Sequence, residues 1–197
     1  RPGDAAAENA LTPQPGGITV QHRPFGKTGL NVPPIVFGTS CLGNLYQELD
    51  DGTKREIVSE WFRCVQPPVV ADSAGKYGAG LALEVMGRRF RDLDVNPADI
   101  VVSNKLGWLR VPLRTPEPTF EPGAWMGLEH DAVQRISYGG IRECWNQGCE
   151  LLGDKYRPRL VSVHDPDEYL DAAENEDARK RRWDDVIGAY QALRELK

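Results

Sequence analysis

Four short apolar runs, each ending on a polar residue and each leading on to an amphipathic stretch of helical length, leave this chain few folds to choose from. The runs are Ile35-Val36-Phe37-Gly38-Thr39, Val69-Val70-Ala71-Asp72, Ile100-Val101-Val102 (continuing to Lys105) and Leu160-Val161-Ser162-Val163-His164. Between them, Ile57, Val58, Trp61, Phe62 and Val65 fall at helical spacing over 53–65, with Thr53 and Glu56 as an expected capping box. Leu81, Val85, Met86 and Phe90 do the same over 80–93, and Ile141, Cys144, Trp145, Cys149 and Leu152 over 139–152. Trp183, Val186, Ile187, Tyr190 and Leu193 mark a last helix over 179–196. Strand and helix alternating in this way predict an α/β fold, a parallel sheet with helices outside it.

Two parallel architectures compete. An open sheet that binds a dinucleotide carries GxGxxG after its first strand. Here the turn reads Gly38-Thr39-Ser40-Cys41-Leu42-Gly43, which does not fit, so a barrel is expected. Residues 107–138 break the rhythm: Pro112, Pro116, Pro118 and Pro122 fall among Trp108, Phe120, Trp125 and Tyr138 with no steady period. A loop of that length is expected to be either functional or an error in assigning its elements. Residues 1–18, rich in Ala, Pro and Gly, are expected to form a disordered tail, leaving 19–197 as one partial barrel domain.

Composition narrows the partners. A net charge of -5 and a pI near 5.3 argue against nucleic acid, which selects a basic face. No apolar stretch approaches the roughly 20 residues a membrane-spanning helix needs, so no membrane partner is expected. Cys41, Cys64, Cys144 and Cys149 form neither a close pair nor a zinc set. Free buried thiols in a reducing cytoplasm are the expectation, with no metal.

In a barrel the polar residues that matter sit at the C-terminal ends of strands, where the following loops build the site. That rule selects Asp72, Lys105 and His164, and adds Tyr77 in the loop between Gly75 and Gly78. Singly, each has a plain structural reading: a helix cap, a solvated lysine, a turn histidine, a loop aromatic. Together they suit proton exchange at a carbonyl or alcohol. A phenol with a pKa near 10 exchanges protons poorly at neutral pH, and an adjacent ammonium favours the phenolate. A carboxylate fixes the ammonium, and an imidazole orients a substrate oxygen.

These residues carry a resemblance. Asp72-Ser73-Ala74-Gly75-Lys76-Tyr77-Gly78 is similar to the Asp-Thr-Ala-x-x-Tyr-Gly segment of the aldo-keto reductases. Val102-Ser103-Asn104-Lys105 resembles the segment bearing that family's catalytic lysine, and Val163-His164-Asp165 the one bearing its histidine. Arg23-Pro24-Phe25-Gly26-Lys27-Thr28-Gly29-Leu30 resembles its N-terminal β-hairpin, and Phe37-Gly38-Thr39 with Leu42-Gly43-Asn44-Leu45-Tyr46 its first strand and loop. Tyr138-Gly139-Gly140 and His164-Asp165-Pro166-Asp167 lean toward the branch that oxidises aldoses such as fucose or galactose, or pyridoxal.

The resemblance implies a (β/α)₈ barrel and an oxidoreductase using NADP or NAD on a small-molecule carbonyl or sugar. Tyr77 would be the proton donor or acceptor, Lys105 would tune it, Asp72 would anchor Lys105, and His164 would position the substrate oxygen. Gly38, Thr39 and Asp72 would lie beside the cofactor. Trp108, Phe120 and Trp125 are candidates for lining the substrate pocket; that they only pack the long segment down is the open alternative. A complete barrel needs about 250 residues and eight strands, whereas four strands are legible here. The main cofactor-binding segment is therefore expected to lie elsewhere, whether the chain is a fragment or a natural truncation. Two open sheet edges imply a partner, either the remaining barrel half or a second copy.

Overall fold

An antiparallel hairpin of β1 (Arg23–Pro24) and β2 (Asn31–Val32) leads into the sheet; the structure, a computed structural model, describes residues 20–196. The expected 1–18 tail lies outside them. The sheet is built from β3 (Phe37–Gly38), β4 (Val69–Ala74), β5 (Ile100–Leu106) and β8 (Pro158–Val163). Their order in space is β3-β4-β5-β8 and all pairings are parallel. Both faces of β4 and most of β5 are buried, which accounts for apolar runs where a half-exposed strand would alternate. Ile35 and Val36, expected within the first strand, precede it and are about half exposed.

The helices are α1 (Asp51–Cys64), α2 (Leu81–Asp92), α3 (Tyr138–Leu152), α4 (Pro166–Asp171) and α5 (Glu176–Glu195). Among the described residues no helix is long and apolar enough to cross a membrane. The expected capping box on α1 is corrected. Asp50 is the N-cap, and its carboxylate accepts from the Thr53 amide at 2.9 Å and the Thr53 hydroxyl at 2.6 Å. Thr53 thus satisfies the cap instead of forming it.

Ser137 caps α3, its hydroxyl accepting from the Gly140 amide at 3.0 Å. Ser137→Ala leaves that amide without its partner and should cost about 1 kcal/mol, a fall in Tm of about 2–4 °C by thermal melt.

The long irregular segment is also corrected. It contains an antiparallel ribbon, β6 (Trp108–Pro112) against β7 (His130–Gln134), joined by residues 113–129. Gln147 of α3 holds the ribbon at both backbone polar groups of Arg110, accepting from its amide at 2.7 Å and donating to its carbonyl at 3.1 Å. Arg110 in turn donates to the Ala79 carbonyl at 2.6 Å and pairs with Glu84 at 2.8 Å.

Beneath the helices lies one cluster around Val58, Phe62, Val69, Met86, Phe90, Ile100 and Tyr156, and another around Leu106, Ile141, Val163, Val186 and Ala189. On α5 the inward face is Val186, Ala189 and Ala192 with Leu193 beside them, while Trp183, Ile187 and Tyr190 are exposed. Apolar spacing alone favoured the larger residues. The small ones let α5 approach α3 closely, and that contact decides the face.

Candidate active site

The parallel register brings Asp72 opposite Ser103 and Ala74 opposite Lys105. Ser103 and Lys105, two apart on β5, point to one side of the sheet. Both donate to the Asp72 carboxylate, Ser103 through its hydroxyl at 2.8 Å to Oδ1 and Lys105 through its ammonium to Oδ2. The Lys105 Nζ lies 4.8 Å from the centre of the Tyr77 ring. Burial works against the Lys105 ammonium, but the hydrogen bond to Asp72 and the Tyr77 side chain outweigh it, so its pKa is raised. The charge beside Tyr77 therefore persists at neutral pH.

Tyr77 is placed by its backbone. Its amide donates to the Ala74 carbonyl at 3.1 Å and its carbonyl accepts from Ala82 at 3.2 Å. The turn around it leans on Gly43: a Cβ at position 43 would come 2.7 Å from the Tyr77 carbonyl carbon and 2.9 Å from the Gly78 nitrogen. The ring stacks on Trp125 (5.9 Å, 30°) and meets His164 edge-on (5.8 Å, 85°).

His164 follows β8, held by its amide to the Leu106 carbonyl at 2.8 Å. Its side chain is almost wholly buried, with Nε2 3.3 Å from the Asp165 carboxylate. Nδ1 has no protein partner among the described residues. Burial pushes its pKa down to about 4, with Asp165 opposing and the Lys105 and Lys76 charges adding to the fall. The imidazole is neutral at physiological pH and can offer one N–H and one lone pair.

A stability consequence follows from linkage. Between about pH 6.5 and 4 the unfolded chain takes a proton on His164 that the folded one refuses. The contribution is full above 6.5 and is lost as pH falls, on the order of 3 kcal/mol in total. Urea unfolding at pH 7 and 4.5 should show a larger acid loss for wild type than for His164→Gln.

A cavity of about 550 Å³ opens at this end of the sheet, lined by Tyr77 and His164 with Ser40, Tyr46, Lys76 and Trp125. The carboxylates of Glu121, Asp165 and Glu168 also face it. Asp72 and Lys105 are not on its lining; they sit behind Tyr77. Of the three expected pocket aromatics, Trp125 reaches the cavity. Phe120 and Trp108 form a layer behind it, with centroids 6.1 Å and 5.9 Å apart along the series. Thr39 is buried and its hydroxyl donates to the Asp72 carbonyl at 3.0 Å, so it is committed to the sheet. Gly38 is exposed, with nothing within 4 Å of where a side chain would begin. Sequence reasoning missed Ser103, which alternation with Lys105 would have found. It also missed Lys76, Glu121, Asp165 and Glu168 as cavity residues. All four thiols are free, but the expected burial holds for Cys144 alone: Cys41 and Cys149 are half-buried and Cys64 is exposed.

A phenol backed by an ammonium and a carboxylate, at the C-terminal end of parallel strands and beside a neutral imidazole, is laid out for proton transfer at oxygen. The family model described as "Aldo/keto reductase family" matches residues 34–197, and the chain belongs to that family. Its members are in general NAD(P)-dependent oxidoreductases on a barrel fold, as the motifs implied.

The chain is similar to a pyridoxal 4-dehydrogenase of Microbacterium luteolum, 26% identical over 188 residues, which span 90% of this chain and 52% of that protein. A crystal structure from Pseudomonas aeruginosa assigned to the aldo-keto reductases superposes with a TM-score of 0.58 at 23% identity, covering 89% of this chain and 55% of the other. The holo form of an aldo-keto reductase from Bacillus halodurans gives 0.51 at 21%, covering 85% and 48%. At those identities the two structures speak to the fold. The chain spans about half the length of the relatives it matches.

Proposed function

We propose that this chain carries the proton-transfer site of an NAD(P)-dependent oxidoreductase that interconverts an aldehyde, ketone or aldose and the corresponding alcohol or lactone. The observation that carries the reading is the line Asp72–Lys105–Tyr77 running from the sheet to a cavity that His164 also lines. Tyr77 gives its phenolic proton to a carbonyl oxygen, or takes one from an alcohol. Lys105 stabilises the phenolate that forms, and Asp72 and Ser103 keep Lys105 in place. His164 holds the substrate oxygen. The place of its ring on the cavity, edge-on to Tyr77, supports this.

When bound, NADP or NAD supplies or accepts the hydride. Gly38, with open space at a strand end, fits a neighbour to that group, with Thr39 and Asp72 bracing the strand beside it. Trp125 is the substrate wall, with Phe120 and Trp108 its backing. For substrate we favour a sugar aldehyde or pyridoxal. Trp125 beside the Asp165 and Glu168 carboxylates on the cavity suits a substrate bearing hydroxyls, and the Microbacterium luteolum relative is named for pyridoxal. Four unpaired cysteines fit a reducing cytoplasm.

The test uses the protein as its gene encodes it, with NADH or NADPH and a panel of aldoses, pyridoxal and simple aldehydes. Aldehyde-dependent loss of reduced nicotinamide is the expected result. Absence of both cofactor binding and turnover overturns the reading.

A second reading, a half barrel acting as a binding or assembly module, has one observation in its favour. Among the described residues β3 and β8 each have a strand on one side alone. We propose that further barrel polypeptide or a second copy covers those edges. Sedimentation at several concentrations separates the two.

A further inference from the structure

Lys76 directly precedes Tyr77, yet its side chain is 8% exposed. A buried ammonium is stable only when compensated. Its Nζ lies 2.6 Å from Glu121 Oε1, 3.9 Å from Glu168 and 5.2 Å from the centre of the Trp108 ring. The other oxygen of Glu121 accepts the Trp125 indole N–H at 2.7 Å. Glu121 holds this position with a left-handed backbone, φ 46°, a conformation a glutamate adopts only when its surroundings fix it. Burial would raise its pKa, but the bonds from Lys76 and Trp125 prevail and lower it, so it stays ionised.

The segment 113–129 is also sewn to the loop after β3. The Tyr46 amide donates to Ala124 at 2.7 Å, the Met126 amide to Asn44 at 3.0 Å, and the Asn44 side chain returns to Met126 at 3.0 Å. Consecutive residues thus grip one wall twice: Tyr77 stacks on Trp125, and Lys76 holds the carboxylate that holds Trp125.

We propose that the Lys76–Glu121 ion pair is a positioning device that fixes Trp125 over Tyr77 and so sets which substrates the cavity accepts. This rests on the oxidoreductase reading above. Neither residue touches the reacting oxygen in this scheme. They act through Trp125, so their loss falls on substrate binding and leaves the proton step in place.

Lys76→Met keeps the stem over Trp108 without its charge. Glu121→Gln keeps an acceptor for Trp125 and loses the ion pair. Glu121 is 41% exposed, so water can hydrate it in the Lys76→Met variant. Each single variant is expected to raise KM for the aldehyde about tenfold while kcat stays within about threefold. The double variant should raise it no further than the larger single, the mark of a coupled pair. Independently of activity, the Tyr46 and Met126 amides should exchange hydrogen faster in both singles, with those of β4 and β5 unchanged.

Unchanged KM and exchange in both singles overturn the proposal. A fall in kcat at constant KM also overturns it, because Lys76 would then belong to the proton chemistry. Faster exchange in a protein whose wild type turns over no substrate leaves the clasp standing and removes the oxidoreductase reading.

Discussion

Tyr77→Phe is expected to lower kcat by about 10²–10⁴-fold, the usual worth of a positioned acid–base group, while dinucleotide affinity and fold are kept. The substitution deletes one hydroxyl. The ring contacts with Trp125 and His164 and the backbone bonds to Ala74 and Ala82 all remain. A thermal melt within a few degrees of wild type therefore accompanies the loss, which separates chemistry from folding. Lys105→Met should fall in the same direction, and the double variant should lose little beyond Tyr77→Phe alone, because the lysine acts through the phenol. A Tyr77→Phe enzyme that kept wild-type kcat would move the proton to another group. The imidazole beside it on the cavity is His164, whose pKa of about 4 makes it a poor proton donor at neutral pH.

The parts of this site legible from sequence are those whose chemistry is unusual for their position. Asp72, Lys105 and His164 end apolar runs, where a side chain is forced toward one mouth of a parallel sheet, and Tyr77 stands between glycines in the next loop. Parallel register does the rest: once β4 and β5 pair, Ser103 and Lys105 share the Asp72 side without further information. Lys76 and Glu121 were not legible. A lysine is solvated by default, and its burial here depends on a partner in a distant segment whose local pattern shows no period.

That segment hid its own structure for a related reason. Five-residue strands of half-buried residues such as Trp108–Pro112 show neither clean alternation nor a continuous apolar run. The outward turn of Trp183, Ile187 and Tyr190 on α5 shows a different limit. Spacing says that a face is apolar, whereas close helix approach selects the smaller Ala189 and Ala192.

Gly43→Ala is expected to cost about 2–3 kcal/mol, the upper part of the range for overpacking, and to cut activity further than that loss of stability explains. The added methyl would lie 2.7 Å from the Tyr77 carbonyl carbon, 2.8 Å from its oxygen and 2.9 Å from the Gly78 nitrogen. All three are backbone atoms, so no side chain can rotate away and the turn carrying Tyr77 must shift. A displacement of about 1 Å at a reacting group costs up to 10²-fold in rate. Gly78→Ala should behave alike, since its Cβ would strike the Gly43 backbone and its φ of 62° strains any L-residue.

Gly139→Ala is the control. It sits in the first turn of α3 with nothing within 4 Å of its Cβ, so stability should hold or rise slightly. Chemical denaturation of the three variants, with kcat measured on each, decides the matter. If Gly43→Ala were as stable and active as Gly139→Ala, the loops after β3 and β4 would not be in backbone contact. Tyr77 would then lose the support that aims it at the cavity.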